Sequence, residues 1–107
     1  MPDLVICLCA AWCHVCNDWR ATFEQAAAAN PGVTFAWIDI EDEADAMGDY
    51  DVETFPCVLV AKGELPLFLG AIQPSATQLQ RLLTASYEGG KTPPESAALL
   101  QRLRARM

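Results

Sequence analysis

The sequence predicts an α/β fold, a central mixed four-stranded sheet built in the order βαβαββα and followed by one extra C-terminal helix. Three observations carry this. Short apolar runs of strand length (DLVICLC at 3–9, VTFAWIDI at 33–40, PCVLVA at 56–61) recur along the chain. The stretch between the first two has an apolar period of about four, so a helix joins two parallel strands. After the third run, Lys62-Gly63-Glu64 is a tight turn that returns the chain as an antiparallel hairpin partner.

Each element has its own local reason. Residues 3–9 are continuously apolar and rich in β-favouring types, as expected of a strand buried on both faces. Val15, Trp19, Phe23 and Ala26 then form an amphipathic stripe, which Asn30-Pro31-Gly32 stops through residues tolerant of left-handed backbone and a proline that cannot extend the ladder. Residues 33–40 are the second strand and 42–49 a short acidic helix. Pro56 opens the third strand, where a missing donor is tolerated, and residues 65–69 are the fourth. Ser75-Ala76-Thr77-Gln78 is a capping box that launches a helix with Leu79, Leu82, Leu83 and Tyr87 inward. Glu88-Gly89-Gly90-Lys91 is a hinge. Thr92-Pro93-Pro94-Glu95 is a second capping box with proline at the first helical position, and the last helix carries Leu99, Leu100, Leu103 and Met107 on one side. Residues 1–88 are therefore expected to form the domain, and 89–107 a hinge and amphipathic helix packed on it.

Composition narrows the function. The chain has 107 residues, is 52% hydrophobic and 20% charged, and carries a net charge of −7, which suits one folded globule. Most of its acids fall between positions 39 and 53 with no Lys or Arg among them, so nucleic acid is not an expected partner, and this acidic face reads as solvated surface. No apolar stretch is long enough to span a membrane. Residues 4–11 lack a basic residue ahead of them and lead straight into Cys13, so they read as core strand rather than signal peptide. The expected location is the cytoplasm. The cysteines number 5, an odd count with none beyond Cys57, which argues against a disulfide-stapled scaffold. Cys13 and Cys16 fall at the junction of the first strand and helix. Metal ligands, a structural bond and a redox pair are all open at this point.

The chain resembles the thioredoxin superfamily. Ala11-Trp12-Cys13-x-x-Cys16 resembles that family's active-site segment, Tyr50-Asp51-Val52-Glu53-Thr54-Phe55-Pro56 the segment carrying its cis-proline, and Leu69-Gly70-Ala71 its glycine loop. The match extends over about residues 3–88. It implies a thioredoxin-like fold and thiol–disulfide oxidoreductase activity, most simply the reduction of protein disulfides. It also implies a cis peptide bond before Pro56, and a substrate platform of Trp12, Phe55, Pro56, Gly70 and Ala71 onto which an extended peptide adds like a strand. The departures are specific. Thioredoxin proper begins with a further strand and helix, the family's buried aspartate falls on Cys7 and its partner lysine on Trp37, and the dipeptide between the cysteines is His14-Val15.

The chemistry follows from sulfur reactivity. Only a thiolate attacks a disulfide, and the free N–H groups and dipole of a helix N-terminus favour that anion at Cys13. Cys16, one turn further in, is within reach and more buried, so Cys13 is the expected nucleophile and Cys16 the resolving thiol. His14, whose imidazole titrates near physiological pH, is a candidate for tuning this pair. Cys7 and Cys9 share a strand face and read as core packing, with Cys57 on the neighbouring strand. With Cys7 and Trp37 in place of a charged pair, no charged proton relay remains for Cys16.

Two other classes of function compete. Cys7, Cys9, Cys13 and Cys16 could suit zinc or an iron–sulfur cluster, but strand and helix cysteines do not readily converge on a tetrahedron. Alternatively, the acidic face or last helix could serve an interaction module. A glutaredoxin is a weaker match, because the Tyr50–Pro56 and Gly70 segments do not look glutathione-binding. The expectation is a monomer with no metal or cofactor, partnered by protein disulfides and by an unidentified reductase or small thiol as electron donor.

Overall fold

A computed structural model describes residues 2–48, 50–84 and 92–107. Its four strands are β1 (Leu4–Cys9), β2 (Thr34–Asp39), β3 (Cys57–Lys62) and β4 (Leu65–Ala71), and its helices α1 (His14–Ala29), α2 (Ala44–Met47), α3 (Ala76–Thr84) and α4 (Ser96–Arg104). The strand order is β2-β1-β3-β4. β1 and β2 run parallel, while β3 is antiparallel to both β1 and β4, which makes the sheet mixed as expected.

Strand alternation divides the core into two layers. Leu4, Ile6 and Leu8 of β1 join Cys57, Leu59 and Ala61 of β3 on one face, under α2 and α4. Val5, Cys7 and Cys9 join Val58 and Val60 on the other, under α1 and α3. Every residue of β1 is buried, which is why its sequence shows no polar alternation. Cys57 pairs with Leu8 and so faces away from Cys7, with the backbone of the sheet between them.

The helix boundaries follow local chemistry with informative exceptions. The buried stripe of α1 is Cys16, Trp19 and Phe23, whereas Val15, expected inward, is exposed. The stop at Asn30 does not use left-handed backbone: its φ is −128°, and its side-chain amide donates to Ala26 O at 2.8 Å. At α3, Ser75 Oγ accepts from the N–H of Gln78 at 3.4 Å, one half of the expected capping box. The second capping box does not form. Glu95 rather than Thr92 caps α4, and Pro93 and Pro94 instead make a turn closed by Ser96 N–H donating to Pro93 O at 3.0 Å. Two consecutive prolines offer no N–H to share with a threonine, so helical hydrogen bonding starts later. The hinge at 88–91 and Tyr87 lie outside the described residues.

α4 is bound to the sheet on its apolar side. Leu99, Leu100 and Leu103 are buried in the cluster of Leu4, Ile6 and Leu8. Arg102 donates from Nε to Ala46 O at 2.7 Å and from Nη2 to Met47 O at 3.3 Å, satisfying carbonyls at the end of α2. This contact requires glycine at position 48, which has φ +59° and whose added Cβ would lie 2.9 Å from the Arg102 guanidinium.

Candidate functional site

The predicted site residues gather at one end of the sheet, where β1 passes into α1 and β3 begins. Cys13 is the N-cap of α1, with extended backbone and no side-chain capping bond. Its N–H closes a turn onto Ala10 O at 3.0 Å, and its carbonyl receives the N–H of Asn17 at 3.1 Å. An N-cap side chain overhangs the first turn towards N3, and N3 here is Cys16. Cys13 is partly exposed and packs against the cluster that contains Cys16, whose side chain is fully buried. His14 opens the helix on its exposed side.

Trp12 is 65% exposed, and its ring meets Phe55 edge-on at 5.6 Å between centroids. The Phe55–Pro56 peptide bond is cis. The Pro56 carbonyl accepts from Ile72 N–H at 3.0 Å, and Cys57 and Val58 stand opposite Ala71 and Gly70, so the glycine segment lies directly beside the proline. A shallow groove of about 310 Å³ adjoins this end of β3, lined by Tyr50, Val52, Thr54, Cys57 and Ala71 among others. Trp12 and Phe55 therefore form an apolar pair next in sequence and space to the partly exposed Cys13 and the cis Pro56.

Two acidic residues that the sequence assigned to a solvated face instead brace this loop. Asp39, at the end of β2 opposite Cys9, accepts from Ala11 N–H at 3.1 Å and from Glu41 N–H at 2.8 Å. Glu41 accepts from the Trp12 indole N–H. Asn17 completes the brace by donating to Ala11 O at 3.1 Å. The available signal was positional: residues at the carboxyl ends of parallel strands are where α/β folds build sites.

The structure joins Cys16 to a cysteine that the sequence assigned to core packing. Cys16 is disulfide-bonded to Cys9, with 5.9 Å between their Cα atoms, and Cys13 is a free thiol. Cys9, expected to be packing bulk, points from the end of β1 at the first turn of α1. That arrangement satisfies the Cα separation a disulfide requires. No spacing rule reports it, because the strand-to-helix junction sets the distance. Cys7, on the same strand face, lies 3.5 Å from Cys9 sulfur to sulfur and accepts from the Trp19 indole N–H at 3.4 Å. Trp37, opposite Cys7 on β2, meets Phe23 at 5.6 Å and lies beneath the Arg20 guanidinium, so the expected absence of a charged pair is filled by aromatic packing. Among the described residues no cluster of three or more His, Cys, Asp or Glu side chains is arranged to hold a metal.

The two buried free thiols, Cys7 and Cys57, are held neutral. Burial raises Cys7 from the usual 9.0 to about 12. Burial also raises Cys57 to about 11, partly offset by hydrogen bonds from the Tyr50 hydroxyl and the Gly70 N–H. Burial, then the Cys57 thiol it bonds, raises Tyr50 from 10.0 to about 12. These groups keep their protons in the folded chain after an unfolded chain has lost them. Their contribution to stability is complete below pH 9 and is lost as pH climbs from 9 to about 12. The urea midpoint of the protein should be flat from pH 7 to 8.5 and fall steadily above 9, and Cys7→Ala should shallow that fall. A slope unaffected by Cys7→Ala would show that this thiol titrates normally.

A family model described as thioredoxin matches residues 2–84. A Streptomyces coelicolor protein named as a thioredoxin is 26% identical over 59 residues, which is 55% of this chain and 44% of that protein. The chain thus spans less than half the length of the curated relatives it matches. Among solved structures, Fasciola hepatica thioredoxin is 25% identical with a TM-score of 0.68, covering 76% of this chain and 77% of its own. An oxidised thioredoxin of Arabidopsis thaliana is 20% identical with a TM-score of 0.67, covering 81% and 79%. Among the described residues no helix is long and apolar enough to cross a membrane.

Proposed function

The chain belongs to the thioredoxin family, and on that premise we propose that it is a thiol–disulfide oxidoreductase that reduces protein disulfides through Cys13 and Cys16. The single observation that carries the reading is the placement of Cys13. It is the partly exposed N-cap of α1, with Cys16 one turn below. Cys13 attacks one sulfur of the substrate disulfide, forming a mixed disulfide and releasing the first substrate thiol. Cys16 then attacks Cys13 Sγ and releases the second. Substrate gains two electrons and the protein loses two.

Trp12, Phe55, Pro56, Gly70 and Ala71 supply the docking platform in this reading. The apolar Trp12–Phe55 pair shields the exchanging sulfurs, and the backbone beside Pro56 receives an extended peptide. His14, exposed at the start of α1, is in this reading the residue that tunes the neighbouring nucleophile. The partners are disulfide-bonded proteins on one side and a reductase or small thiol on the other, in a reducing compartment that the sequence suggests is the cytoplasm. No metal or other cofactor takes part in the reading.

The test is substrate trapping. Cys16→Ser should hold disulfide-bonded proteins on Cys13 as adducts that survive denaturing electrophoresis and disappear with dithiothreitol. Cys13→Ser should hold none. Equal adduct yields from the two variants would sink the division of roles.

A further inference from the structure

We propose that Cys9 is a third exchanging thiol, which withdraws the disulfide from the surface to a buried Cys9–Cys16 bond and returns Cys13 to its free state. This deepens the oxidoreductase reading and rests on it. Cys16 is bonded to Cys9, and Cys13, the only partly exposed cysteine, is free. Cys9 and Cys16 are 1% and 0% exposed, so no protein substrate can touch the bond they share. Cys13 packs on the same cluster and, alone among the cysteines, is not buried.

The sequence of exchanges balances. After Cys16 has released substrate, the disulfide joins Cys13 and Cys16. Cys9, as thiolate, attacks Cys16 Sγ. The Cys9–Cys16 bond forms, the Cys13–Cys16 bond breaks, and Cys13 departs with the electron pair as a thiolate. No electron leaves the protein in this step. The proton lost by Cys9 passes to solvent through the opened turn or to the departing Cys13 sulfur.

The surroundings suit a Cys9 sulfur that is alternately bonded and anionic. Once Cys9 is in a disulfide it carries no hydrogen, so at 3.5 Å the Cys7 thiol is the donor between them. Trp19 N–H in turn donates to Cys7 at 3.4 Å. The chain Trp19 N–H, Cys7 S–H, Cys9 sulfur aims two buried donors in series at the sulfur that must hold charge when the exchange reverses. Cys7 itself stays protonated and does not compete as a nucleophile.

The consequence is sequestration. The electron donor meets the disulfide only in the fraction of molecules where Cys13 has re-attacked Cys16, and re-reduction slows in proportion. The oxidised protein also retains one reactive surface thiol.

The experiment maps disulfides in the wild-type chain. Reduced protein is incubated with excess insulin, quenched in acid, denatured and alkylated, then reduced and given a second alkyl label. Arg20 is the first Lys or Arg, so Cys7, Cys9, Cys13 and Cys16 fall in one tryptic peptide whose fragmentation locates each label. The second label should fall on Cys9 and Cys16. A second label on Cys13 and Cys16 overturns the third-thiol proposal and leaves the oxidoreductase reading standing. No second label anywhere overturns both. As an independent measure, Cys9→Ala oxidised to its Cys13–Cys16 form should be re-reduced by dithiothreitol about tenfold faster than wild type or more. Equal rates overturn the sequestration.

Discussion

Cys13→Ser should lower the rate of protein-disulfide reduction by at least ~10³-fold, to the level of the uncatalysed exchange with the reductant present. Loss of a nucleophile is total only where nothing nearby can replace it, and the structure supplies that condition. Cys9 and Cys16 are buried, out of reach of a substrate disulfide. Cys7 and Cys57 are buried on opposite faces of the sheet and raised to about 12 and about 11. Burial therefore keeps Cys7 protonated at pH 7. Its sulfur is moreover turned towards Trp19 and away from solvent. Serine preserves the N-cap, so the helix and fold should survive, and unchanged thermal unfolding serves as the control. Residual activity within tenfold of wild type would mean that another sulfur performs the attack.

The second large effect concerns stability. Leu100→Ala should cost about 3 kcal/mol and lower the melting temperature by roughly 10–20 °C. Leu100 is fully buried with Leu99 and Leu103 against β1, β3 and α2, where a truncated side chain leaves a cavity between rigid layers. Deleting residues 92–107 removes all three leucines and both Arg102 hydrogen bonds to the end of α2. Each leucine is worth about 2–5 kcal/mol, so the sum reaches the ~5–15 kcal/mol that holds a typical domain together. The truncated chain should show no cooperative unfolding transition by circular dichroism. A melting temperature within about 3 °C of wild type would identify α4 as a docking element instead of part of the core.

The legible part of the site was the part written in adjacent residues. Trp12-Cys13-His14-Val15-Cys16 marked the strand-to-helix junction, and Phe55-Pro56 with Gly70-Ala71 marked the neighbouring strands. Misreadings began wherever one element had to be phased against another. Val15 and Cys16 are consecutive, and either could start an apolar stripe through Trp19 and Phe23. Burial chose Cys16, because α1 crosses the sheet with that side inward. Asp39 and Glu41 looked like two more charges in an acidic run, and only the ladder that sets Asp39 beside Cys9 brings them to Ala11 and Trp12.

By itself the sequence determined the order of strands and helices, the doubly buried β1, and the cysteine that faces solvent at the helix start. Periodicity, turn residues and capping chemistry act over a few neighbours, and the chain states them locally. The tertiary structure alone decided which sulfur Cys16 meets, which acids hold the loop, and what α4 covers. Those outcomes depend on the spacing and register of layers that come together from distant parts of the chain, a geometry that no short stretch contains.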